Sequence, residues 1–176
     1  TVILDGDTAN TFTGATIVKS GTLTLNKEVT PVSEPLGLVS VPGPLIIEGG
    51  RVTHSSDHGI GNAATVTIHP GATLNLNGYA DTIAALNLLG GTVETDAGTL
   101  TLGGNVTATG NATITGHLSL GVTIRHFDVA ANRTLTVSAL VSGTGSSGLT
   151  KQGDGELRLS GANTYSGPTV VEAGTL

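Results

Sequence analysis

Two stretches of this chain spell nearly the same thing. Residues 9–23 read Ala9-Asn-Thr-Phe-Thr-Gly-Ala-Thr-Ile-Val-Lys-Ser-Gly-Thr-Leu23, and residues 162–176 read Ala162-Asn-Thr-Tyr-Ser-Gly-Pro-Thr-Val-Val-Glu-Ala-Gly-Thr-Leu176. The mismatches are conservative where a side chain is expected inside (Phe12/Tyr165, Ile17/Val170) and free where it is expected outside (Lys19/Glu172). Self-similarity of this kind marks a repeat array, in which each unit buries its apolar face on its neighbour.

Between the two copies, strand signals dominate. Thr22-Leu-Thr-Leu25, Thr73-Leu-Asn-Leu76, Thr99-Leu-Thr-Leu102, Thr134-Leu-Thr-Val137 and Glu156-Leu-Arg-Leu159 all alternate polar and apolar residues. Period two sends Leu and Val to one face and Thr to the other, and β-branched Thr favours strand over helix. Asp81–Leu89 comes nearest to a helical period, but it is short, ends in Gly90-Gly91, and reads as strand. Glycine stands before the next strand at Gly21, Gly50, Gly71, Gly91, Gly110, Gly155 and Gly174, with Asn132 in the same place once. Both residue types tolerate the left-handed conformation of a sharp corner. Cutting there gives eight segments: 1–21, 22–50, 51–72, 73–91, 92–111, 112–133, 134–155 and 156–176. Each holds two or three short strands, which predicts one turn of a parallel β-helix per segment. A β-sandwich would show hairpin signals and an aromatic core. This chain has two Phe, two Tyr and no Trp or Met, so Val, Ile, Leu and Ala must fill a layered interior.

Stacking then predicts two inner ladders. One runs through Leu23, Leu74, Val93, Leu135 and Leu157, and the other through Ile17, Leu86, Val106, Leu149 and Val170. Rungs ~4.8 Å apart would give eight of them a span of about 38 Å. The long segment 22–50 carries four of the six prolines, Pro31, Pro35, Pro42 and Pro44. Proline cannot donate to a central ladder, so 26–44 reads as a loop excursion from an otherwise unbroken domain, 1–176.

The formal net charge of −6 offers no basic patch for phosphates, so nucleic acid is an unexpected partner. No apolar run is long enough for a transmembrane helix. His54 and His58 flank Asp57, with His69 nearby, but loop and strand context does not give the helical spacing of a metal pair; His117 and His126 stand alone and are expected to be exposed. Asp5-Gly-Asp7 and Gly153-Asp-Gly155 read as corners, since calcium wants about six or more oxygens. Three Asn-x-Thr sequons, at Asn105, Asn111 and Asn132, read as outward ladder positions. A polysaccharide-active enzyme on this fold would need clustered acids and sugar-stacking aromatics. Thirteen acids and four aromatics spread over eight rungs show no such cluster, and fold alone does not license the activity. The chain is read as no enzyme, with no cofactor, no metal and no catalytic residue.

The segment Gly148-Leu-Thr-Lys-Gln-Gly-Asp-Gly-Glu-Leu-Arg-Leu-Ser-Gly-Ala-Asn-Thr-Tyr-Ser-Gly-Pro-Thr-Val-Val-Glu-Ala-Gly-Thr-Leu176 closely resembles the autotransporter-associated β-strand repeat family. Leu4–Lys27 looks like a partial unit of it, and Gly71–Val137 looks like the spacer sequence found between such repeats. The resemblance implies a right-handed parallel β-helix, displayed at the bacterial surface in very large repetitive proteins, with no catalytic residues.

The expected role is therefore structural: a repeat of an extracellular fibre or surface stalk. The chain carries no Met and is expected to be a piece of something larger. Its partners would be copies of itself joined head to tail, in tandem or as a polymer, through Thr1, Val2, Ile3, Leu4, Thr175 and Leu176. The alternative is an adhesive passenger of an autotransporter-type protein, binding cell-surface glycans or host surfaces around the proline-rich excursion.

Overall fold

The structure is a computed structural model, and it describes residues 1–27 and 38–176. All its regular elements are short strands, with no helix among the described residues. They form eight successive rungs. Rung 1 holds β1 (Val2–Gly6) and β2 (Thr16–Val18); rung 2 holds β3 (Thr22–Lys27) and β4 (Leu45–Ile47). Rung 3 holds β5 (Arg51–His54) and β6 (Thr65–Ile68); rung 4 holds β7 (Thr73–Asn75), β8 (Asp81–Ile83) and β9 (Ala85–Leu88). Rung 5 holds β10 (Thr92–Leu102) and β11 (Val106–Ala108); rung 6 holds β12 (Ala112–Ser119) and β13 (Arg125–Val129). Rung 7 holds β14 (Thr134–Val137), β15 (Leu140–Ser142) and β16 (Leu149–Gln152); rung 8 holds β17 (Glu156–Leu159) and β18 (Thr169–Val171).

One sheet runs β1-β3-β5-β7-β10-β12-β14-β17 and the other β2-β4-β6-β9-β11-β13-β16-β18, one strand of each per rung. The pairings within both are parallel. A third, shorter ladder joins β8, the far half of β10, the far half of β12 and β15 across rungs 4–7. This is a parallel β-solenoid of eight turns. From rung 2 on, the sequence cuts fall on the first residue of each first-sheet strand, from Thr22 to Glu156. Asp81–Leu89 is strand, divided between β8 and β9.

The core follows from the alternation. In β3 the inward residues Leu23, Leu25 and Lys27 are buried and the outward Thr22, Thr24 and Asn26 are half-buried. One apolar cluster runs from Val18 to Leu157, with Phe127 its largest fully buried apolar side chain. Without aromatic bulk, closeness of rungs does the filling, and interiors tolerate few voids.

At both described ends of the predicted 26–44 excursion, residues belong to the solenoid. Asn26 and Lys27 complete β3, because the Lys27 ammonium donates to Asp5 O at 2.7 Å on rung 1 and so satisfies its inward position. On the far side, Val41 is buried and bridges Ile60, while Ser40 N and Val41 N both donate to Gly59 O at 2.9 Å. Residues 28–37, with Pro31 and Pro35, lie outside the described residues.

Candidate functional site

The predicted inner ladders are placed with a different register. Leu23, Leu74 and Val93 share one ladder, which runs Val2–Leu23–Val52–Leu74–Val93–Ile114–Val137–Leu159. Leu135 and Leu157 are buried but stack with Ala112, two residues earlier along the strand. In the second sheet, Leu86 and Val106 share the ladder Thr16–Leu45–Val66–Leu86–Val106–Phe127–Lys151–Val171. Ile17 and Val170 each sit one residue off it, on the outer face, and are 49% and 41% exposed. A one-residue step reverses the face, so these two are not core. Leu149 is buried two residues before Lys151.

Of the predicted corner glycines, Gly21, Gly50, Gly71, Gly91 and Gly174 have φ between +70° and +79°, the left-handed region where glycine is at ease. Gly110 and Gly155 do not. They are needed for closeness instead: a methyl group would run into the Leu89 carbonyl oxygen at Gly110 and into that of Ala130 at Gly155. The end residues Val2, Ile3 and Leu176 are exposed, while Thr175 is tied to rung 7 and rung 8 by Thr175 N to Gly155 O (3.1 Å) and Leu157 N to Thr175 O (2.9 Å). An open hollow of about 430 Å³ at rung 1 is lined by Val2, Leu4, Phe12, Ile17, Val18 and Leu23 among others.

The main cluster of chemically capable side chains spans rungs 3 to 5. His54 takes the inward position that Leu4 and Leu25 hold on rungs 1 and 2. Asp81 heads an inward ladder continued by Leu100, Leu118 and Val141. Both side chains are wholly buried, with His54 Nε2 2.6 Å from Asp81 Oδ2. The same carboxylate accepts Ile60 N at 2.9 Å and Thr82 N at 2.7 Å. It is therefore the acceptor throughout, and the imidazole Nε2 donates. Outside the core, Glu94 Oε2 accepts from Arg51 at 2.9 Å and from Asn75 Nδ2 at 3.0 Å, tying three consecutive rungs. Asp57 accepts Ala80 N at 2.7 Å. His54 and Asp57 thus serve separate contacts, and among the described residues no three of His, Cys, Asp and Glu come together as a metal site.

Two more inward positions hold cations. One is Lys27, bonded to Asp5 O. Lys151 stands between Phe127 and Val171 on its ladder, wholly buried, and donates to the carbonyls of Gln152 and Gly153 at 2.7 Å and of Ala173 at 3.2 Å. Burial lowers its ammonium from the ordinary lysine value, opposed by Asp128 and Asp154. Burial likewise lowers Arg125, which clasps Leu120 O at 2.8 Å and Gly103 O at 2.7 Å. The two predicted single histidines are half-buried rather than exposed: His117 N donates to the buried Thr95 Oγ1 at 2.6 Å, and His126 N donates to Asn105 Oδ1 at 3.0 Å. Both backbones are occupied in joining rungs.

Sequence reasoning missed Asp81, Lys27 and Lys151, and weighed His54 only as a metal ligand, not as an inward core residue. The signal was available in part: Val52-Thr-His54, Leu25-Asn-Lys27 and Leu149-Thr-Lys151 each place a polar residue where the alternation requires an inward one. One outward ladder of the first sheet is mostly threonine, Thr22–Arg51–Thr73–Thr92–Thr113–Thr136–Arg158.

Residues 1–25 and 149–176 match the family model described as passenger-associated-transport-repeat. Over 89 residues, 51% of its length, the chain is 43% identical to the protein named Adhesin BmaC autotransporter of Brucella suis biovar 1 (strain 1330). The chain spans 2% of that relative's length. No solved structure matches the chain significantly.

Proposed function

We propose, for a chain that belongs with the autotransporter-associated β-strand repeats through its two passenger-associated transport repeats, that it is a length of shaft in a surface-displayed adhesive passenger. Similarity to an autotransporter adhesin implies a surface-exposed or extracellular protein and suggests a non-enzymatic role. The observation that carries the reading is the unbroken stack of eight parallel rungs, joined in places by buried polar contacts such as His54 to Asp81 and Lys27 to Asp5 O. A solenoid in which each rung contacts only its neighbours extends without limit of length, which suits holding a binding region away from a cell.

The test is antibody labelling and adhesion of intact cells that make the full protein. Antibodies raised against this segment should label the outside of unpermeabilised cells, and deletion of the passenger should abolish attachment. Labelling only after permeabilisation, or attachment unchanged by the deletion, would overturn the reading.

The finer reading, a fibre of units meeting head to tail through Thr1–Leu4 and Thr175–Leu176, is supported by the likeness of rungs 1 and 8. β2 and β18 are both three residues long, and Gly21 and Gly174 follow them at φ +76° and +70°. Electron microscopy separates the two: long unbranched fibres support the finer reading, and short rods tethered to cells leave the adhesive passenger alone standing.

A further inference from the structure

The Ala-Asn-Thr motif occurs once on rung 1 and once on rung 8, and its asparagine makes different contacts in each place. Asn10 reaches forward: its backbone N donates to Val39 O at 3.0 Å and its Nδ2 to Ser40 O at 2.7 Å, both on rung 2. Asn163 reaches back: its Oδ1 accepts Val141 N at 3.1 Å, and the following Thr164 N donates to Val141 O at 2.8 Å, both on rung 7. The two sites are 153 positions apart. At the same offset Thr16 matches Thr169, Val18 matches Val171, and Gly21 matches Gly174 in residue type and in place within the rung.

We propose that these are two halves of one contact: the motif's asparagine is a two-sided clasp that holds three consecutive rungs. Its carbonyl side, with the next backbone N–H, grips a single residue on the rung behind. Its amide side, with its own backbone N–H, grips two successive carbonyls on the rung ahead. The face of rung 1 thus fits a rung of rung 7's kind, whose counterpart of Val141 donates to Asn10 Oδ1 and accepts from Thr11 N. The face of rung 8 fits a rung of rung 2's kind, which offers two carbonyls to Asn163.

The chemistry suits the task. A carboxamide is the shortest side chain with an acceptor and a donor pair on one planar group, so it can address both neighbours at once. Aspartate supplies only acceptors, and threonine is too short to span both. Asn105 Oδ1 and Asn111 Oδ1 also join rungs, but with the opposite polarity to Asn163, accepting His126 N and Thr134 N at 3.0 Å from the rung ahead. The inference concerns how rungs join and is independent of whether the passenger adheres.

The test reads amide exchange in this chain and in the chain extended by a copy of residues 112–153 placed before Thr1, which continues the 153-residue offset. In the chain itself, Asn163→Ala should speed exchange at Val141 about fivefold, one net hydrogen bond's worth, and Asn163→Asp, which keeps the acceptor, should restore protection. In the extended chain, the added copy of Val141 should be protected. Asn10→Ala should speed its exchange by about the same factor, while Asn10→Asp leaves it protected and loosens only the Asn10 contact with rung 2. An added Val141 amide that is unprotected, or protected but indifferent to Asn10→Ala, would overturn the clasp. So would a Val141 amide that ignores Asn163→Ala. Circular dichroism showing intact strand content separates each of these from a chain that has lost its solenoid.

Discussion

The buried His54–Asp81 pair makes a quantitative prediction. Each residue replaces a leucine-type position on its ladder, so leucine fits the space at both. His54→Leu removes the imidazole donor at 2.6 Å and leaves Asp81 with two backbone donors. Removing the donor from a buried carboxylate leaves its charge less compensated and costs about 3–5 kcal/mol, and those two donors hold this loss near the lower figure. Asp81→Leu strips the acceptor from His54, Ile60 N and Thr82 N together, so it should reach the upper figure or exceed it. In the double variant no imidazole or carboxylate remains inside. The chief residue of cost is the unpaired Ile60 N–H, about 1–3 kcal/mol. The double variant should therefore be more stable than either single one. Urea denaturation followed by circular dichroism supplies the four stabilities of the cycle. Costs that add to within about 0.5 kcal/mol would refute the reasoning, because they would mean the two side chains do not depend on each other.

Phe127→Ala, at a wholly buried ladder position, should cost about 3–5 kcal/mol, read from the urea midpoint. Gly110→Ala should be costlier than Gly71→Ala. The first drives a methyl into the Leu89 carbonyl, whereas the second has open space and suffers only its positive φ, about 1–2 kcal/mol. Lys151 gives a pH signature: its ammonium is lowered in the fold by burial, so at alkaline pH the unfolded chain binds more protons than the folded one. Stability should then rise with pH between the lowered folded value and the ordinary lysine value near 10.4. Urea midpoints across that range should show the rise in the native chain and a weaker one in Lys151→Met; parallel curves would count against a desolvated charge at Lys151.

Most corners and most faces were legible because each has a local cause, although Ile17 and Val170 lie on the outer face. A glycine before a Thr-Leu-Thr pattern marks where a strand begins whatever the neighbours do. Register was not local. Leu135 and Val137 point the same way, and a slip of two residues keeps every side chain on its face, so alternation cannot say which of them stacks on Ile114. The inward cations and the His54–Asp81 pair were hidden by the assumption that a polar residue faces water. Lys151 contradicts it by curling its ammonium back onto three carbonyls. Gly110 was found for the wrong reason, since steric approach of the preceding rung and a positive φ demand the same residue.

The parallel stacking has a mechanical consequence. Each turn is fastened only to the turns beside it, so a rod pulled by its end gives way one turn at a time, like line leaving a spool. A turn of about twenty residues occupies only ~4.8 Å of rod length, yet drawn out straight it yields roughly 70 Å of slack. Turns in series share one tension, so each turn that pays out its length lowers the load on all the turns that remain.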